Sequence, residues 1–276
     1  MGKTITTYLI DGDPKGAQYV LISNKICKMV IVPRANLSIV NQREELQTPA
    51  FYILLGEDDA MKPEAYIGET ENFKERVRDH DLKKTFWQKA LVFVSSNGAM
   101  TKVDVQYLEH LAMSEAKKAN RFSLDSNKQT PKAPNLPEHQ KDSIDEFFED
   151  IKFLTSFIGC NIFDVVKTQD KHLFCTTARG CNASGFYDGA GFTVLKDSII
   201  ANDSVPSMAW KEKREELLKE YTKKENGKSI LLADKTFSSP STAAIFCLGR
   251  NTNGWEIWKD KDGQTLDTVY RKQIEG

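Results

Sequence analysis

The sequence predicts a mixed α/β (α+β) protein, and three observations carry that expectation. Between 49 and 119, apolar strand-like runs and capped helical segments come in the order strand, strand, helix, strand, helix. Ahead of them, residues 3 to 32 break into short β-prone runs separated by turn residues. Behind them, from 173 to 200, glycines punctuate further short strands, and a small-residue helix follows near the C-terminal end. With 40% hydrophobic and 28% charged residues, the 276-residue chain has a globular rather than a disordered composition, and its length allows one or two cores.

Taken in order, Ile5 to Ile10 is an apolar, β-prone run closed by the turn residues Asp11-Gly12-Asp13-Pro14. Tyr19 to Ile22 and Lys28 to Val32 repeat the pattern, Pro33-Arg34 stops it, and Asn36 to Leu46 suits a short helix. Residues 1–48 thus read as a small β-rich extension. Phe51 to Leu55 is a continuous apolar run, which suits a strand buried on both faces. An acidic loop, Gly56 to Pro63, leads to Ala65–Gly68 as its hairpin partner. Asn72 is a good N-cap with Glu75 three residues on, and Phe73 and Val77 lie one turn apart on the core side of that helix. Leu91 to Val94 makes a third strand, Asn97-Gly98 a turn, and Thr101 caps a longer helix reaching about Ala119. Such a layer is expected to leave one sheet face open.

Residues 129 to 140 carry three prolines and read as a linker. Ile144, Phe147, Phe148, Ile151 and Leu154 then recur at three- and four-residue spacing, an amphipathic helix closed by Gly159 that gives a connecting segment over 137–160. The segment 161–227 combines short strands with a highly charged helix from Trp210 to Lys224. The last segment, 228–276, reads as a compact module: a strand from Ser229, a Ser-Pro helix start at 238–241, and Asn253-Gly254-Trp255. Trp255 and Trp258, three apart, suit either stacking on bases or filling that module's core.

The net charge of -1 gives no global basic signature, and 50–136 holds equal numbers of acidic and basic residues. A nucleic-acid partner would therefore need a positive field local to a groove. Five dispersed cysteines read as reduced, mostly buried thiols of a cytoplasmic protein, without a structural zinc site. No window reaches 18 apolar residues, so no membrane partner is expected.

The residues that can carry chemistry gather in the central module. Arg76 and His80 are four apart and share a helix face. A guanidinium matches a phosphate, and an imidazole one turn away can bond that phosphate or move a proton; a solvated face beside Arg78, Asp79 and Asp81 is the plainer reading. Glu109 projects from a stripe of Val105, Ala112 and Met113. It is either a carboxylate ligand for a magnesium-type ion or a boundary residue paired with Lys102 or Arg76. Tyr52 and Tyr66 lie on paired strands, either as packing or as phenols tuned by a nearby cation, and Gly68 leaves room for a close approach.

The order and spacing of Phe51-Tyr52-Ile53, Tyr66-Ile67-Gly68, Asn72, Arg76, His80, Glu109 and Asn127 resemble the GIY-YIG nuclease superfamily over roughly 49–128, with Ala50-Phe51-Tyr52 standing where the family has Gly-Ile-Tyr. The resemblance implies a nuclease domain over 49–136 with a small three-stranded antiparallel sheet flanked by helices. It implies Arg76 against the phosphate charge, Glu109 on a single Mg2+ or Mn2+ ion, Tyr52 or Tyr66 as general base, and His80 and Asn127 as supporting residues. The stretch Thr101 to Glu109 is similar to a subgroup with an N-terminal β-rich extension. Ser238 to Ala244, with Asn253-Gly254-Trp255 and Trp258, resembles an uncharacterised C-terminal domain found on such nucleases, distantly similar to one attached to restriction-associated DNA methylases. The expected function is metal-dependent hydrolysis of phosphodiesters, with DNA as the expected partner and RNA cleavage using the same chemistry. The alternative is a binding module for nucleic acid or protein on the same fold, without turnover.

Overall fold

The computed structural model describes residues 2–56, 63–127, 129–165, 172–189, 191–208 and 210–271. They fall into two compact units, the first ending at Val165 and the second covering residues from 172 onward. The acidic loop expected between Gly56 and Pro63 lies, for residues 57–62, outside the described residues.

The first unit is built on one six-stranded sheet. Its strands are β1 (Ile5–Leu9), β2 (Gln18–Ile22), β3 (Cys27–Pro33), β4 (Ala50–Leu55), β5 (Ala65–Thr70) and β6 (Lys89–Ser95), in the order β1-β2-β3-β6-β4-β5. All neighbours are antiparallel. The expected trio β6-β4-β5 is therefore one half of a larger sheet, and residues 1–48 supply the other half. Strand β3 pairs with β6 along its whole length, from Cys27 opposite Ser95 to Pro33 opposite Lys89. The reason is β6 itself: its five middle residues are buried, and an unpaired edge on so apolar a strand would leave its backbone groups without partners.

Every residue of β4 is buried, as its unbroken apolar run requires. Phe51, Ile53 and Leu55 point into a core shared with α2 (Lys102–Ala119) and α3 (Glu138–Phe157). Ala50, Tyr52 and Leu54 point into another, shared with α1 (Phe73–Lys83) and two 3-10 stretches, Arg34–Gln42 and Glu44–Gln47. The expectation of one open sheet face is thus corrected: both faces are covered, because the 3-10 stretches expected as one short helix join α1 over the second face. Helix α3 is likewise a core element, since Ile144, Phe147, Phe148, Ile151 and Leu154 are buried against α2, β2 and β3. Both α1 and α2 start where the caps predict. Asn72 accepts from the Glu75 amide, and Thr101 forms a reciprocal capping box with Asp104.

The second unit has a four-stranded antiparallel sheet and a three-stranded one. Its elements are β7 (Phe174–Thr176), β8 (Ala183–Tyr187), β9 (Phe192–Val194), β10 (Ile199–Ile200), α4 (Lys211–Tyr221), β11 (Thr222–Glu225), β12 (Lys228–Leu231), β13 (Lys235–Phe237), α5 (Pro240–Leu248), α6 (Gly254–Ile257) and α7 (Leu266–Tyr270). The sheets run β13-β9-β8-β7 and β10-β12-β11. The charged helix stops at Tyr221, three residues before the expected end. Asn226-Gly227, both at positive φ (50° and 74°), turn the chain so that β11 pairs with β12. A boundary between 227 and 228 would cut that hairpin, and residues from Phe174 to Leu266 share one hydrophobic core. Among the described residues no helix is long and apolar enough to cross a membrane.

A fully buried arginine holds this core together. Arg214 donates from Nε to the Phe246 carbonyl (2.8 Å), from Nη1 to Ser204 Oγ (2.9 Å) and from Nη2 to the Ala201 carbonyl. It thereby ties α4 to the end of α5 and to the chain after β10. Arg214→Ala would leave these acceptors buried and unpaired, and is expected to lower the second unit's stability by on the order of 3 kcal/mol. Denaturant unfolding followed by circular dichroism checks this.

Candidate functional site

Strand register sets the first part of the site. Tyr52 of β4 lies opposite Gly68 of β5, and Tyr66 lies opposite Leu54, so both phenols stand on the face covered by α1. The Tyr52 ring lies over Gly68 so closely that a Cβ there would sit 2.5 Å from Tyr52 Oη and 2.9 Å from the Tyr66 ring. The glycine is thus the gap into which the phenol fits.

Helix α1 brings the next two residues. The Asn72 cap fixes its start, and the four-residue spacing turns Arg76 and His80 to the same side, toward the tyrosines. Arg76 Nε donates to Tyr52 Oη (3.3 Å), and Tyr52 Oη lies 2.7 Å from His80 Nε2. The phenol oxygen thus accepts from the arginine and shares a second hydrogen bond with the imidazole, whose direction is set by the imidazole tautomer. The Tyr66 ring packs 5.0 Å from His80 and 6.2 Å from Tyr52, and Lys84 Nζ sits 4.1 Å above it. Tyr52, Tyr66, Arg76 and His80 therefore form one cluster.

Its electrostatics follow from burial and from one positive charge. Tyr52 is fully buried, and burial pushes its hydroxyl well above the ordinary value of 10.0. His80 is lowered from 6.5 to about 4, first by burial and then by the charges of Arg76 and Lys84. Arg76 is raised, chiefly through its bond to Tyr52. At neutral pH the cluster is a guanidinium on a neutral phenol and a neutral imidazole. For the Tyr52 hydroxyl, Arg76 favours the anion, but burial outweighs it.

Glu109 arrives from the opposite layer, half-buried on α2. Its carboxyl is raised from 4.5 to about 7 by burial and then by the charge of Glu69, against the opposing pull of Lys102 and Arg76. Lys102 Nζ is bonded to both Glu69 oxygens, at 2.6 and 2.9 Å. The expected ion pair of Lys102 is thus with Glu69. Glu69 was missed from sequence although its signal was present: it follows Gly68 directly, and strand alternation turns it to the α2 side. An open cleft of about 490 Å³ runs between these parts, lined by Glu69, Glu71, Glu75, Asp79, Arg76 and Lys102 among others. Four carboxylates face two cations there, so a phosphate needs a further cation to enter.

Asn127 does not join the cluster. Its Oδ1 accepts from the Ile67 amide (3.0 Å) and its Nδ2 donates to the Ile67 carbonyl (2.7 Å), clasping the outer edge of β5 between Tyr66 and Gly68. It supports the site by holding that strand.

Among the described residues no three His, Cys, Asp or Glu side chains gather as a metal cage. The donor set fits an oxygen-seeking ion that keeps most of its waters: the Glu69 charge raises the Glu109 carboxyl, and a dication held there would relieve that cost. None of the five cysteines forms a disulfide; Cys175 is exposed and the others are buried.

Residues 173–270 match a family described as a domain of unknown function, DUF4357. No curated protein and no solved structure matches the chain. The family match spans the second unit, so the segments read as 161–227 and 228–276 belong to one domain. It leaves 49–128 outside, and the resemblance of that stretch to nucleases rests on its motif residues alone.

Two outcomes are expected. Gly68→Ala drives a methyl into Tyr52 and should cost about 1–3 kcal/mol in chemical denaturation while weakening the Tyr52–His80 bond. Because the folded value of His80 is depressed, its neutral form contributes stability that is complete above about pH 6.5 and is lost as pH falls through about 4. Urea unfolding at pH 7 and pH 4.5 should therefore show a larger loss for the wild type than for His80→Gln.

Proposed function

We propose that the first unit is a metal-dependent endonuclease that hydrolyses phosphodiester bonds in DNA, with β6-β4-β5, α1 and α2 as a GIY-YIG-type catalytic core. The observation that carries this reading is the arginine cluster: Arg76, held by Tyr52 on a neutral His80, lines a cleft with Glu69 and Lys102, whose charges Glu109 feels from α2.

In this reading Arg76 meets the negative charge growing on the phosphate oxygens, and Tyr52 and His80 keep it aimed. Tyr66, half-exposed where Tyr52 is buried, acts as its phenolate: it takes the proton of the attacking water and becomes a neutral phenol as the bond from phosphorus to the leaving oxygen breaks. Glu109, with Glu69 beside it, would hold one Mg2+ or Mn2+ ion. When bound, that ion supplies positive charge to the leaving oxygen and offsets the acidic lining of the cleft.

A second reading is a nucleic-acid- or protein-binding module without turnover, and the four carboxylates of the cleft favour its protein-binding form. Incubation of supercoiled plasmid with the protein and magnesium or manganese separates the two. The nuclease reading expects nicking that stops on chelation and is lost in Glu109→Ala; no cleavage of DNA or RNA by the wild type would leave the binding module.

Arg76→Ala should lower turnover by on the order of 100-fold with little change in binding. Because the Glu109 carboxyl is raised to about 7, its ionised form is lost as pH falls through that value. Cleavage at subsaturating metal is therefore expected to drop between pH 8 and pH 6, and added metal should move the midpoint downward.

A further inference from the structure

Three aromatic side chains meet at the surface of the second unit, on the rim of its core. Tyr187, at the end of β8, stands nearly perpendicular to Trp255 of α6 (centroids 5.1 Å apart, 69°) and to Tyr270 of α7 (5.3 Å, 75°). Tyr187 and Trp255 are half-buried, and Tyr270 is 42% exposed. Trp258 is different: it is fully buried, stacks on Phe192 at 4.3 Å and gives its indole N–H to the Pro240 carbonyl. The demands of the core account for Trp258. They do not account for an indole face left at the surface beside two tyrosines.

That face has an occupant. The guanidinium carbon of Arg271 lies 3.5 Å from the Trp255 ring centroid, and its Nη1 lies 3.8 Å from Asp267 Oδ1. The surface thus accepts a flat, delocalised cation on an electron-rich ring with a carboxylate alongside, an arrangement that draws on both cation–π attraction and charge. The Asp267 carboxylate beside the guanidinium favours a cation here over a nucleotide, which carries a phosphate with it.

We infer that Tyr187, Trp255 and Tyr270 form a binding site for the guanidinium group of an arginine in a partner peptide, and that Arg271 occupies this site in cis. Opening the site requires only that Arg271, an exposed residue just past the five-residue α7, swing away. A partner arginine must displace it, so the intact chain binds more weakly than one without it. The inference rests on the second unit alone and is independent of the nuclease reading.

The test follows the indole N–H resonance of Trp255 in the full chain, titrated with a blocked arginine tripeptide. Arg271→Ala should bind it saturably and at least about tenfold more tightly than the wild type. Trp255→Leu in the Arg271→Ala background should abolish the response while the buried Trp258 resonance stays in place, which shows that the fold survives. Equal affinity with and without Arg271 would overturn the inference. So would a glutamine tripeptide acting as well as the arginine one, or a response to oligothymidine in its place, which would make the surface a base-stacking platform.

Discussion

The first unit depends on one strand that has no exposed side. With every residue of β4 buried, the chain must supply cover above and below it, and each layer brings part of the candidate site. The layer containing α1 delivers Arg76 and His80 beside Tyr52 and Tyr66. The layer containing α2 delivers Glu109. Arg76 and Glu109 therefore start on opposite sides of the sheet and influence one another near β5, where Glu69 and Lys102 also sit. The same hydrophobic demand that closes the core sets the distance over which these charges interact.

Within the α1 layer, the polar atoms are arranged so that only one charge is buried near the phenols. Arg76 is a cation whatever its surroundings and is steadied further by its bond to Tyr52, Tyr52 stays a neutral phenol because it is desolvated, and His80 stays neutral because it is desolvated beside that cation. Each protonation state is the cause of the next. On the other layer the logic reverses: Glu69 has a lysine, Glu109 has none bonded to it, and the unpaired carboxyl is the one that titrates near neutrality.

Much of this was legible in the sequence because local signals and burial agreed. The β4 run, the Asn72 and Thr101 caps, and the four-residue spacing of Arg76 and His80 each have a short-range physical cause, and each element lies where that cause puts it. What was hidden is long-range. Nothing in Cys27–Pro33 says that it pairs with a strand more than fifty residues later, so the sheet reads as three strands rather than six. Asn127 has the composition of a site residue, yet its amide is spent on the Ile67 backbone. The Asn226-Gly227 turn was a local signal passed over in a stretch whose charge pattern reads as helix.

The clasp made by Asn127 has a consequence for how copies of this chain behave at high concentration. Strand β5 ends the sheet, and a terminal strand normally offers a row of backbone donors and acceptors to any extended segment that drifts past. Here the amide of Ala65 is taken by the Ser123 carbonyl, while both backbone groups of Ile67 are taken by one side chain. At those positions the template is already filled. A sheet edge engaged in this way resists growing there by addition of a foreign strand, so the Asn127 carboxamide and the Ser123 carbonyl guard that stretch of β5 against fibril-like stacking.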